Sequence, residues 1–205
     1  MKTPIVLTTF LIFASIFAEI ARSAEMSDKE VMAVVNRVLR AYTGGDKDSL
    51  NELKKLPTNS AIPALLIFFK QSFYTFRPNA KTNAEALRIA RMIVALPDSA
   101  GYMKPLFKTP PAKNPPGWYI NQRGQIIDLL ILLDSKFSVR MFADQLNDPD
   151  NILEPKDLGR YLALLNIPGA PFSKDTQKSA ATPEGMQKWR EWWAANKGDY
   201  PEISN

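Results

Sequence analysis

Apolar residues recur along this chain at intervals of three and four, the period of an α-helix with one buried face. Between residues 31 and 42 they fall at Val31, Val34, Val35, Val38, Leu39 and Tyr42. Ser27-Asp28-Lys29-Glu30 stands just ahead of them and predicts a capping box, with Ser27 at the cap and Glu30 reaching back. Gly44-Gly45 predicts the stop, because glycine takes the left-handed conformation after a helix C-terminus without steric cost. No sustained apolar–polar alternation argues for sheet, and the aromatic run 68–76 is where a strand competes most strongly. The expected class is all-α.

The helical pattern also repeats as pairs. Residues 50–66 read as helix, turn, helix, with Pro57-Thr58-Asn59 as the turn and Pro63 in the first turn of the second helix, where its missing N–H costs nothing. Residues 86–107 repeat the form around Leu96-Pro97-Asp98, with Pro105-Leu106 in the second helix. Residues 125–150 repeat it around Leu133-Asp134-Ser135 and exit through Asp148-Pro149-Asp150. A fourth copy begins at Asp157 and degenerates after Leu165-Asn166-Ile167. The turn markers Leu56, Leu96, Leu133 and Leu165 are spaced roughly 32–40 residues apart, near the ~40–47 residues of helical-pair repeats.

On the stretch Ala61-Ile62-Pro63-Ala64-Leu65-Leu66 after its turn, and on the Asp-Pro-Asp at 148–150, the chain resembles HEAT and armadillo-like repeat proteins. The resemblance implies a short right-handed solenoid of about three to four helix pairs. A proline-rich connector at 109–117 and a polar loop at 168–182 interrupt the stack. After them a terminal helix starts at Thr182-Pro183, carries Trp189, Trp192 and Trp193, and ends at Gly198. Terminal repeats must cover the last apolar face, so this Trp-rich helix is expected to cap the solenoid. At 100° per residue Met186, Trp189 and Trp193 share one stripe, which predicts that these two indoles are buried and that Trp192, on the shoulder, is partly exposed.

The first two dozen residues break from this pattern. Lys2 supplies a positive end, residues 5–18 are an uncharged apolar run, and Ala21-Arg22-Ser23 places small residues where a signal peptidase reads. Glu19 stops the run short of the ~20 residues of a spanning helix. Residues 1–23 are therefore expected to be a cleavable signal peptide, and 24–205 a single α-helical repeat domain without a transmembrane segment. The chain has no cysteine and no Asn-x-Ser/Thr acceptor, which fits a bacterial periplasmic or extracellular protein.

Composition narrows the chemistry further. Histidine is absent as well as cysteine, which removes His-based triads, thiol nucleophiles and His- or Cys-ligated metal. No catalytic residues, metal ligands or cofactor are expected. The net charge of +5 is mixed along the chain, unlike the basic stripe of a nucleic-acid binder, and no nucleic-acid partner is expected. Asp128, flanked by Ile126-Ile127 and Leu129-Leu130, is the acidic residue most embedded in an apolar helix, and is read as bonding an inter-repeat turn. Asp148-Pro149-Asp150-Asn151 with Glu154 lacks the glycine and spacing of a calcium loop and is read as a turn.

What remains are surfaces. The second helix of each pair usually lines a solenoid's concave face, and those helices carry Lys70, Lys104, Lys108 and Arg140. Together with Trp192 these are the candidate binding residues, for a protein or an anionic envelope component. The expected function is a non-catalytic, exported protein-interaction or ligand-binding module. The alternative is a small carbohydrate-active or cell-wall enzyme working with carboxylates alone.

Overall fold

The structure, a computed structural model, describes residues 26–73, 80–108, 115–200 and 202. The expected signal peptide 1–23 and connector residues 109–114 lie outside them, as does the end of the aromatic run. Ten α-helices and no strands form among the described residues, so the protein is all-helical there. By internal contacts the chain divides into Met1–Leu65 and Leu66–Asn205.

The first unit holds α1 (Asp28–Thr43), α2 (Leu50–Leu53) and the start of α3 (Thr58–Phe73). The capping box forms as the sequence predicts: the Glu30 amide donates to Ser27 Oγ at 3.4 Å, and Ser27 N donates to Glu30 Oε2 at 2.8 Å. Val31, Val35 and Val38 are buried on one face of α1. Gly44 keeps right-handed geometry at the C-cap, and it is Gly45 that takes the positive φ of 100°. Arg37 bridges to Glu52 of α2 at 2.7 Å, an exposed pair that contributes little.

Pro63 does not sit in a first turn. The Pro57 carbonyl already accepts from Ser60 and Ala61 at 2.9 Å, so α3 is under way a turn earlier and Pro63 falls inside it. Its absent N–H withholds the bond that the Asn59 carbonyl would otherwise accept. The helix continues regardless, as Ala61, Ile62, Leu65, Leu66 and Phe69 are all buried.

In the second unit two helical hairpins follow one another. α4 (Ala80–Val94) turns into α5 (Ser99–Met103), which tightens into a 3₁₀ turn over Lys104–Phe107. α6 (Gly117–Leu133) turns into α7 (Lys136–Ala143), which tightens the same way over Asp144–Asn147. Each turn pivots on an aspartate in the left-handed region, Asp98 at φ 51° and Asp134 at φ 43°. These are the only non-glycine residues with positive φ among those described. Asp is among the few residues that take this conformation at modest cost, because its short side chain can bond locally. The Asp134 carboxylate accepts the Asn166 amide at 2.7 Å. The first helices of the two hairpins pack on each other. Their exits also run side by side: the Ile152 amide donates to the Phe107 carbonyl at 2.9 Å, and Lys108 pairs with Asn151 in an isolated β-bridge.

α8 (Pro155–Leu164), α9 (Gln177–Ala180) and α10 (Pro183–Asn196) complete the unit. The stretch 168–182, read from the sequence as a polar loop, holds a 3₁₀ turn over Lys174–Thr176 and all of α9. It is held tightly. A Cβ on Gly159 of α8 would stand 2.2 Å from the Ala180 carbonyl oxygen, and one on Gly185 of α10 would stand 2.1 Å from that of Ser179. Two glycines therefore let the α9 backbone touch both neighbouring helices, with Ala180 fully buried beside them. Polar composition hid this because the contact is made by backbone. The terminal helix itself runs from Pro183 to Asn196 with Thr182 as its cap, and a 3₁₀ turn over Lys197–Asp199 follows.

Candidate functional site

The C-terminal helix carries three of the chain's four tryptophans. Trp189 is fully buried and lies against Phe172, with ring centroids 5.7 Å apart. Trp193 is 4% exposed and Trp192 half-buried, which is the distribution that the 100° spacing predicts. The Trp192 ring touches Trp189, Trp193 and Tyr200 at 5.7, 6.2 and 5.8 Å, so its position is fixed although part of it meets solvent.

α7 fastens this cluster. Arg140 stacks over the Trp193 ring at 5.4 Å, donates from Nε to Asp144 at 2.9 Å and from Nη1 to the Tyr200 carbonyl at 3.3 Å. Lys136 donates to the Asp199 carbonyl at 3.0 Å and lies 5.9 Å from the Tyr200 ring centre. Of the five candidate residues, Arg140 and Trp192 are thus brought into one cluster. Tyr200 and Lys136, which complete it, went unremarked in the sequence. Tyr200 lies beyond the predicted helix, and a lone lysine at a helix start carries no signal.

The other three lie elsewhere. Lys108 is bridged to Asp148 at 2.9 Å between the two hairpin exits. The hydrogen bond raises the Lys108 pKa above its ordinary 10.5 and lowers that of Asp148 below its ordinary 3.8. Asp148 also accepts the Asp150 amide at 3.0 Å, the arrangement of a turn. The bridge's contribution is complete between these ordinary values. It is lost as pH falls through the lowered Asp148 value and as pH rises through the raised Lys108 value. Asp148→Asn keeps the acceptor for Asp150 and removes the charge. It is expected to lower the melting temperature slightly at pH 7, with the gap to the native chain closing as pH falls below 3.8. A gap that persists at low pH would count against the bridge. Lys104 is half-buried and Lys70 exposed. Lys108 and Arg140 are paired with Asp148 and Asp144, which weakens the expected cationic surface at those positions.

Asp128 is half-buried on α6 rather than enclosed. It acts with Asp157 on Tyr161, whose hydroxyl pKa is raised first by burial and then by these two carboxylates, against the pull of Arg123 and Arg160. Asp157 lies 3.5 Å from Arg160.

A concavity opens where α8 and α10 begin. Residues 154–156, Ala181 and Pro183, with Met186 and Arg190 of α10, line a space of about 440 Å³. It is an open groove rather than an enclosed cavity. Glu154 and Lys156 form an ion pair on its rim, at 2.5 Å. Arg190 is half-buried, and its Nε donates to the Leu146 carbonyl at 3.2 Å.

No protein-family model, curated protein or solved structure matches this chain. No described helix is long and apolar enough to cross a membrane.

Proposed function

We propose that this protein is an exported, non-catalytic interaction module of the HEAT-like kind, a short right-handed stack of helix pairs closed by its Trp-rich helix. Export rests on the charge, apolar run and small residues of positions 1–23. The repeat reading is supported by two successive hairpins that turn on left-handed aspartates, tighten into 3₁₀ exits and run side by side.

One observation carries the binding role. Trp192 keeps part of its indole in solvent while three aromatic neighbours hold it in place. A pre-positioned, half-exposed tryptophan loses little entropy on contact, and tryptophan is enriched at the energetic centres of interfaces. The partner is a protein or an anionic component of the envelope. The alternative, a carboxylate enzyme, draws on Asp128 and Asp157 beside Tyr161, but Asp157 is already turned toward Arg160.

The test is capture from a native envelope fraction on immobilised chain 24–205, comparing the native form with Trp192→Ala. A component retained by the first and lost by the second, with both forms folded at the assay temperature, is the expected result. Equal retention by both would remove Trp192 from the reading.

A further inference from the structure

The groove between the starts of α8 and α10 has the makings of a site that the aromatic cluster does not use. Its floor is apolar: Pro155, Ala181, Pro183 and Met186 face it. Pro155 and Pro183 have no N–H, so the floor offers no backbone donor at those two positions. The rim cation Lys156 is already bonded to Glu154. The remaining strong donor is Arg190.

That guanidinium is oriented. Its Nε is committed to the Leu146 carbonyl, which fixes the plane of the head group. No carboxylate among the described residues pairs with it, in contrast to Arg37, Arg140 and Arg160. Arg190 is therefore a half-buried cation beside apolar surface, with neither terminal nitrogen bonded to a described residue. A guanidinium in that state matches a carboxylate, whose two oxygens meet two parallel N–H groups.

The geometry points to this groove as a receptor for the C-terminal residue of an extended polypeptide, its α-carboxylate on Arg190 and an apolar last side chain against Met186 and the two prolines. The openness of the groove favours a peptide over a free alkyl acid. An alkyl tail lying in an open groove stays partly wetted and gains little, whereas a peptide end needs to bury only one side chain and can run out to solvent. The ion-paired rim of Glu154 and Lys156 presents both a donor and an acceptor to the departing backbone. This inference does not depend on Trp192, which is not among the residues lining the groove.

The experiment is fluorescence polarisation with an N-terminally labelled Gly-Ser-Gly-Leu peptide titrated with chain 24–205. The free acid is expected to bind, and the same peptide as its C-terminal amide to bind about tenfold more weakly or worse, since a hydrogen bond to a charged group is lost. Arg190→Gln should erase the difference between acid and amide. The acid–amide comparison uses the native protein, so it stands even if the variant is destabilised by loss of the Leu146 bond. Equal affinity for acid and amide, or no binding of either, would overturn the proposal. So would octanoate displacing the peptide as effectively as unlabelled peptide does, which would make the groove a site for free alkyl acids.

Discussion

Trp189→Ala is expected to cost about 3–5 kcal/mol, the range for emptying a large aromatic from a packed interior. The indole is completely enclosed and touches Phe172 on one side and Trp192 on the other. Its removal would leave a cavity that rigid helices cannot close. Trp193→Ala should approach this loss, because it also takes away the surface on which Arg140 stacks. Trp192→Ala should cost clearly less, since part of that ring is already in water. Trp189→Phe sharpens the assignment. The buried Trp189 Nε1 has no acceptor among the described residues, and an unpaired buried donor carries its own penalty of about 1–3 kcal/mol. Phenylalanine removes that donor along with some volume, so its cost should be far below that of alanine. Denaturant melts of the four variants decide the matter. Equal losses for Trp189→Ala and Trp192→Ala would mean that α10 docks by another face.

Gly159→Ala and Gly124→Ala are the same chemical change and should have opposite signs. Gly124 lies inside α6 with nothing within 4 Å of a new Cβ. There alanine gains helix propensity and should stabilise by about 0.5–1 kcal/mol. At Gly159 the added methyl meets the Ala180 carbonyl at 2.2 Å and the Met186 sulfur at 2.9 Å. The sulfur can move, but the carbonyl belongs to backbone held from the far side by Gly185. Separation of α8 from α9 is the remaining relief, and overpacking of this kind costs about 1–3 kcal/mol or more. Thermal melts of the two single variants are sufficient, and a stabilised Gly159→Ala would disprove the close passage.

The parts legible in the sequence are those written in local periodicity. The valine face of α1, its capping box and the burial order of the three tryptophans follow from residues within a few turns of one another. The left-handed conformation of Asp98 and Asp134 was only half legible: aspartate marks a turn, but the choice of αL depends on how the two flanking helices meet. Gly159 illustrates what sequence hides. In isolation it is a weak helix former, and its purpose appears only when Ala180, distant in sequence, is placed against it. Pro63 misled for a related reason, because proline inside a helix is tolerated where the surrounding apolar face is buried enough to compensate. Arg140 is identifiable in the sequence as a cation on its helix, whereas Lys108, expected on a second helix, stands in extended backbone just past the 3₁₀ turn; their carboxylate partners depend on a helical i, i+4 register in one case and a tertiary contact in the other. Arg190 carries no signal in the sequence, since an arginine among charged helix residues reads as solvated until the groove beside it is seen.

The fastening of the last turn by Lys136 and Arg140 bears on the order in which the second unit assembles. These bonds join residues 63 and 60 positions apart. Closing so long a loop costs entropy before any contact compensates for it. The α6–α7 hairpin, whose halves are adjacent in sequence, faces no such delay. The hairpin therefore offers its two cations early, and they wait for the carbonyls of Asp199 and Tyr200. Until those arrive, the Trp193 ring lacks the guanidinium that stacks on it, and the aromatic end of the unit stays open on that side.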